Sequence, residues 1–139
     1  MKTYQQTFKV STPGRSMINI TDQVADIVLQ ATIVTGICCI FLHHTSASLI
    51  ICENADPAVQ TDMETFMHHI IPDNDPRYRH VAEGPDDMPA HLKASLLGSS
   101  VTLPIRNGRF ALGIWQGIYL CEHRNYGGNR TLMITAWGE

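Results

Sequence analysis

The chain has 139 residues, 44% hydrophobic and 17% charged, with a formal charge of −3 and a pI near 6.1. That length suits a single domain over residues 1–139 with a real hydrophobic core, and the composition excludes a disordered chain. The small negative charge and scattered Lys and Arg exclude a nucleic-acid surface and offer nothing to an anionic membrane. The opening residues are not an apolar signal segment, so a cytoplasmic address is expected.

Tyr4 to Val10 alternate and predict an opening strand, closed by a turn at Pro13-Gly14. Val24, Ile27, Val28 and Ala31 recur at helical spacing, with Thr21 as N-cap and Gly36 as the stop. Ile37 to Leu42 is a dense apolar run expected as a buried strand. It ends in His43-His44, and Ala47 to Cys52 follows as a second strand. Cys38, Cys39, Cys52 and Cys121 contain no C-x-x-C pair and read as buried, reduced thiols acting as small hydrophobes.

Asp56-Pro57 opens a second helix as N-cap and first-turn proline, with Val59, Met63, Phe66, Met67 and Ile70 on its apolar face. His68-His69 falls near its C-terminus, where imidazole complements the helix dipole. Pro72 to Asp87 is the longest irregular stretch, and long loops in compact domains are usually functional or mobile. Pro89 is expected to open a third helix that runs through Leu97 and stops at Gly98. Val101–Arg106 and Arg109–Trp115 flank Asn107-Gly108, the strongest short hairpin signal. Gly117–Arg124 and Thr131–Trp137 are expected to pair across the turn at Tyr126-Gly127-Gly128-Asn129. The sum is an α+β fold, a mainly antiparallel β-sheet or sandwich covered by two or three helices.

Chemistry concentrates where imidazoles meet carboxylates. His80 and His91 bracket a polar loop bearing Glu83, Asp86 and Asp87, a poor core segment but a natural site-former. Their spacing is not that of a compact helical ligand pair, so they would converge only through the loop. Asp86 or Asp87 either caps the following helix or orients an imidazole, and both roles are compatible. His44-Thr45-Ser46-Ala47-Ser48 is the second constellation: on a continued strand, His44, Ser46 and Ser48 would share one face. Together His44, His80 and His91 would suit zinc or a related divalent ion with an open position. Glu53 ends a buried-looking strand, where a carboxylate needs a cation or a catalytic task, while Asp56 reads as a cap. Gln116, Glu122 and Arg124 are spaced to line one strand face, with Arg124 suited to grip a phosphate or carboxylate; a cross-strand Glu–Arg pair fits equally. No role is assigned to His43 or His123 beyond exposure or packing.

Several strings, taken together, resemble the YjbQ family, also described as secondary thiamine-phosphate synthases. They are His44-Thr45-Ser46-Ala47-Ser48-Leu49, Glu53-Asn54-Ala55-Asp56-Pro57, Tyr78-Arg79-His80, the run Glu83 to Lys93, and Gly108 to Ile118. The resemblance implies an α+β homotrimer with a pocket around His44, His80 and His91 holding a divalent metal, zinc in expectation, with magnesium an option for a diphosphate substrate. It further implies a metal-dependent enzyme on a small phosphorylated or anionic metabolite, with thiamine-phosphate synthesis as a side activity. Glu53, Asp87 and Arg124 would then be catalytic, and Thr45, Ser46, Ser48, Gln116 and Arg124 would bind substrate. Two alternatives stand beside this: a non-catalytic metabolite-binding trimer, and a metal-dependent hydrolase using Glu53 or Asp87 as base. No nucleic-acid or membrane partner is expected.

Overall fold

The computed structural model describes residues 1–139. In chain order the elements are β1 (Lys2–Thr12), β2 (Ser16–Asn19), α1 (Thr21–Gln30), β3 (Thr35–Leu42), β4 (Ala47–Glu53) and α2 (Pro57–Ile70). They continue with α3 (Asp87–Leu97), β5 (Ser100–Arg106), β6 (Arg109–Phe110), β7 (Gln116–Glu122) and β8 (Gly128–Gly138). All strand pairs are antiparallel and form two sheets, one of order β1-β8-β3-β5-β6 and a smaller one of order β2-β7-β4. This is the expected α+β class, three helices with mainly antiparallel sheet.

Alternation explains the layering. Phe8 and Val10 of β1, Cys38, Ile40 and Leu42 of β3, and Leu132, Ile134 and Ala136 of β8 turn one way off the large sheet. Ala47 and Leu49 of β4 and Ile118 and Leu120 of β7 meet them from the small sheet, and Val24, Ile27 and Val28 of α1 close the same core. The opposite face of the large sheet has no helical cover. There Phe41 pairs with Met133 and Ile37 with Trp137, and Ile37 and Phe41 are 40% and 45% exposed.

Local expectations met tertiary structure with mixed results. The Asn107-Gly108 turn carries positive φ at both residues, 55° and 77°, as a two-residue hairpin requires. Its second strand, however, ends at Phe110, leaving Ile114 and Trp115 in an exposed loop. The expected pairing of the segments around β7 and β8 does not occur: β7 pairs with β2 and β4, while β8 pairs with β1 and β3. The chain changes sheets at the intervening turn. Helix α1 stops at Gln30, five residues before β3 begins, and Gly36 lies inside that strand, where a Cβ would strike the Trp137 carbonyl oxygen at 2.2 Å. The cap of α1 comes from Asn19, whose Oδ1 accepts from the Thr21 N–H (3.0 Å) and hydroxyl (2.6 Å). Asp56 caps α2 as expected, accepting from the Ala58 N–H at 2.9 Å. The apolar stripe of α2 is only partly used: Met67 is buried, but Phe66 and Ile70 face outward.

Candidate functional site

Helix α3 begins two residues earlier than Pro89 predicts, and this places Asp87 in its first turn, where the peptide dipole favours a carboxylate. Arg124, just beyond β7, holds the acidic pair from the other side. Its Nε donates to Asp86 Oδ2 (3.0 Å), one terminal nitrogen to Asp87 Oδ1, and the other to the Glu83 carbonyl (2.9 Å). The Asn125 N–H adds a bond to Asp86 Oδ2 at 2.8 Å. The irregular 72–86 segment is thus stapled to the end of the small sheet. Every nitrogen of Arg124 is engaged within the chain, so it positions carboxylates and is not free to grip a substrate.

With Asp87 Oδ1 fixed by Arg124, Oδ2 faces the histidines. It lies 2.7 Å from His80 Nε2 and 3.0 Å from His91 Nε2. Asp87 and His91 are four apart on α3 and therefore share a face. The Nδ1 of His91 sits 2.9 Å from the Thr45 carbonyl oxygen. A carbonyl can only accept, so that nitrogen carries a proton. In the neutral ring, Nε2 would then turn a lone pair onto a carboxylate oxygen that can only accept. A cation between them, either a second ring proton or a metal ion, removes the conflict. The donor atoms of His80, Asp87 and His91 lie within 4.8 Å of one another. Burial alone would raise the Asp87 pKa, but the His80 hydrogen bond and the charges of His91 and Arg124 outweigh it and lower it.

His44 does not join them. Residues 43–46 do not extend a strand but cross from β3 in the large sheet to β4 in the small one. There the Thr131 N–H donates to His44 Nε2 at 2.7 Å, which leaves Nδ1 as the protonated nitrogen. Burial and the Arg130 guanidinium both push the His44 pKa down and keep the ring neutral. The expected three-histidine set is therefore replaced by two histidines and Asp87. His44 still faces the same space: a cavity of about 490 Å³ is lined by His44, Thr45, Ala47, His91, Ala94, Ser95 and Ser99.

The remaining expected residues divide by position. Thr45 lines the cavity. Ser46 is buried, its hydroxyl accepting from Arg130 Nη2 at 3.2 Å. Ser48 is fully buried, its hydroxyl 2.9 Å from His123 Nε2, and has no access to a ligand. Burial first, then Lys93, lowers the His123 pKa to about 4. Glu53 and Gln116 are register partners at the far end of the small sheet. Six strand steps of about 3.3 Å place Glu53 roughly 20 Å from Ala47. Glu53 accepts from the N–H groups of Ala55 and Asp56, and Gln116 from that of Gly113, so both stabilise turns remote from the histidines.

Two side chains have no local sequence signal. Arg130 reaches Glu122 across the two sheets, at 2.6 Å from Nε and 2.7 Å from Nη2. Lys93 is fully buried on α3. The Asp87–His91 pairing, by contrast, follows from the four-residue spacing once the helix starts at Asp87 and not at Pro89.

Fold and site define a class: a small α+β domain of two antiparallel sheets, with a His–Asp–His cluster beside a polar cavity at the sheet crossover. Comparison with known proteins gives that class its family. The family model described as UPF0047 protein YjbQ-like matches residues 6–139, and the chain belongs to the YjbQ family. The UPF0047 protein YjbQ of Salmonella typhimurium is 47% identical over 98% of this chain and 99% of its own length. The UPF0047 protein sll1880 of Synechocystis is 43% identical over 98% of this chain and 92% of that protein. Among solved structures, a YbjQ-like protein of unknown function from Sulfolobus solfataricus superposes with a TM-score of 0.91 at 29% identity, covering 99% of both chains. A YjbQ/UPF0047 protein from Clostridium acetobutylicum gives 0.88 at 34% identity, over 95% of this chain and 99% of that one.

Proposed function

We propose that this chain is a metal-dependent enzyme acting on a small phosphorylated or otherwise anionic metabolite, with thiamine-phosphate synthesis as a side activity. One observation carries the reading: His80, Asp87 and His91 converge beside a cavity sized for a metabolite, with the Thr45 carbonyl fixing the His91 tautomer and Arg124 fixing Asp87. Two imidazoles and one carboxylate favour zinc over magnesium, which prefers all-oxygen surroundings. A bound divalent ion would supply a Lewis acid to a phosphoryl oxygen. The chain's own contribution is positional: Asp87 balances charge, Thr45 holds His91, and the hydroxyls of Thr45, Ser95 and Ser99 orient a polar substrate in the cavity. In the thiamine-phosphate reaction the pyrimidine's C–O bond to diphosphate breaks, a C–N bond to the thiazole forms, and pyrophosphate leaves.

The uncovered face of the large sheet, with Ile37, Phe41, Met133 and Trp137, supports self-association and hence the homotrimer implied by the family resemblance. Four free cysteines fit a reducing, cytoplasmic setting, and no helix is long and apolar enough to cross a membrane. The test is metal analysis of untagged protein and of His80→Ala and His91→Ala. We expect about one zinc per chain in the parent and a loss of at least about tenfold in affinity in each variant. Unchanged metal content in both variants overturns the reading.

A further inference from the structure

At His44, which lines the cavity together with His91, two hydrogen-bond donors stand 3.5 Å apart and cannot bond each other. One is His44 Nδ1, protonated because Nε2 accepts from the Thr131 N–H. The other is Arg130 Nη1, and a guanidinium has no acceptor. The rest of Arg130 is spent. Its Nε donates to Glu122 Oε1 and its Nη2 to Glu122 Oε2 and Ser46 Oγ, which uses three of its five hydrogens and leaves both on Nη1. The side chain is only 13% exposed, and the fully buried Glu122 fixes its fork. Two rigidly held donors facing each other with no acceptor from the chain are an unresolved conflict, which an oxyanion accepting from both would remove.

We propose that His44 Nδ1–H and Arg130 Nη1–H form an oxyanion-binding site that takes a phosphate or carboxylate oxygen of the substrate. The proposal deepens the preceding reading by naming where the anionic group of the metabolite docks, but it requires no metal. Adjacent residues serve the two halves of the cavity: the His44 side chain makes the anion site, and the Thr45 carbonyl orients His91. A ligand anchored at His44 would hold its other end toward the cluster. Because Glu122 already balances the Arg130 charge, recognition rests on directed hydrogen bonds more than on net positive potential. The site therefore selects for an oxygen of matching geometry.

The test uses chelator-treated, ¹⁵N-labelled protein titrated with inorganic phosphate and, separately, with acetate, following the histidine ring nitrogens and the arginine side chains by NMR. Without ligand, His44 should show the Nδ1–H tautomer. Either anion should then move His44 Nδ1 and Arg130 Nη1, and the one that does so identifies the group bound. The response should persist in His80→Ala, which separates this site from failure of the metal reading. In His44→Gln, affinity for that anion should fall by about tenfold or more. An Nε2–H tautomer at His44 overturns the proposal. So does folded protein in which neither anion moves His44, or one in which the shifts are confined to His80 and His91.

Discussion

Glu122→Gln should be among the most damaging single-atom-class changes available in this protein. The carboxylate is fully buried and accepts from Thr12 Oγ1 (2.6 Å), Arg130 Nε and Nη2, and the N–H groups of His123 (3.1 Å) and Arg124 (3.2 Å). Thr12 and Arg130 belong to the large sheet and Glu122 to the small one, so this one group ties the sheets together. Glutamine preserves the shape but leaves the Arg130 charge unbalanced and turns an amide NH₂ toward donors. Breaking a buried pair in this way costs about 3–5 kcal/mol, a large share of the roughly 5–15 kcal/mol that holds a domain together. Burial alone would raise the Glu122 pKa, but the hydrogen bonds from Arg130, Thr12 and the Arg124 N–H lower it below the usual carboxylate range. The stabilisation is therefore complete above the unfolded value of about 4.3 and is lost as pH falls through the lower folded value. Urea unfolding of parent and variant, stepped from pH 7 to pH 3, should show the full gap at neutrality and a narrowing one below about pH 4. A gap under about 1 kcal/mol at pH 7, or one equally wide at pH 3, would refute the argument.

Lys93 presents the opposite case: the residue is buried, its ammonium has no hydrogen bond or ion pair within the chain, and burial followed by the Arg15 charge lowers its pKa. The unfolded chain keeps that proton to higher pH, so parent stability should rise toward about pH 10. Lys93→Met should be about 1–3 kcal/mol more stable than the parent at pH 7, with the advantage shrinking as pH rises. A less stable variant with no pH trend in paired thermal melts would mean the amine is satisfied. Gly127→Ala should destabilise by about 1–3 kcal/mol, because a Cβ there would meet the Thr12 carbonyl oxygen at 2.0 Å and Oγ1 at 2.3 Å. Chemical denaturation reads this directly, and a neutral substitution would mean the turn between β7 and β8 yields freely.

What could be read from the sequence follows the range of the forces involved. The Asn107-Gly108 hairpin, the Asp56 cap and the Gly98 stop rest on one to three neighbouring residues, and each expected feature is present. The pairing of β7 with β8 failed because nearness in sequence favours pairing, whereas burying both apolar faces here required the chain to change sheets. The exposed Phe66 and Ile70 show an apolar stripe without a partner in this chain. At the site, His80 and His91 were identifiable as a pair because polar loops rarely carry imidazoles without a use. That Asp87 joins them depends on a helix start two residues earlier than proline chemistry indicated. Arg130 follows a glycine-rich turn and meets Glu122 and His44 only where the two sheets come together, so the assembled sheets alone reveal its place.

The crossover at residues 43–46 has one more implication. Its two ends are tied to the two sheets, the His43 N–H donating to the Thr131 carbonyl (3.0 Å) and the His123 N–H to the Ser46 carbonyl (3.2 Å). A one-residue insertion between those anchors would displace the His44 ring and the Thr45 carbonyl from Arg130 and His91, while the core strands β3 and β4 keep their own partners. The damage would fall on the site before it fell on the core of either sheet. In a scaffold built this way, shape and activity can be inherited separately.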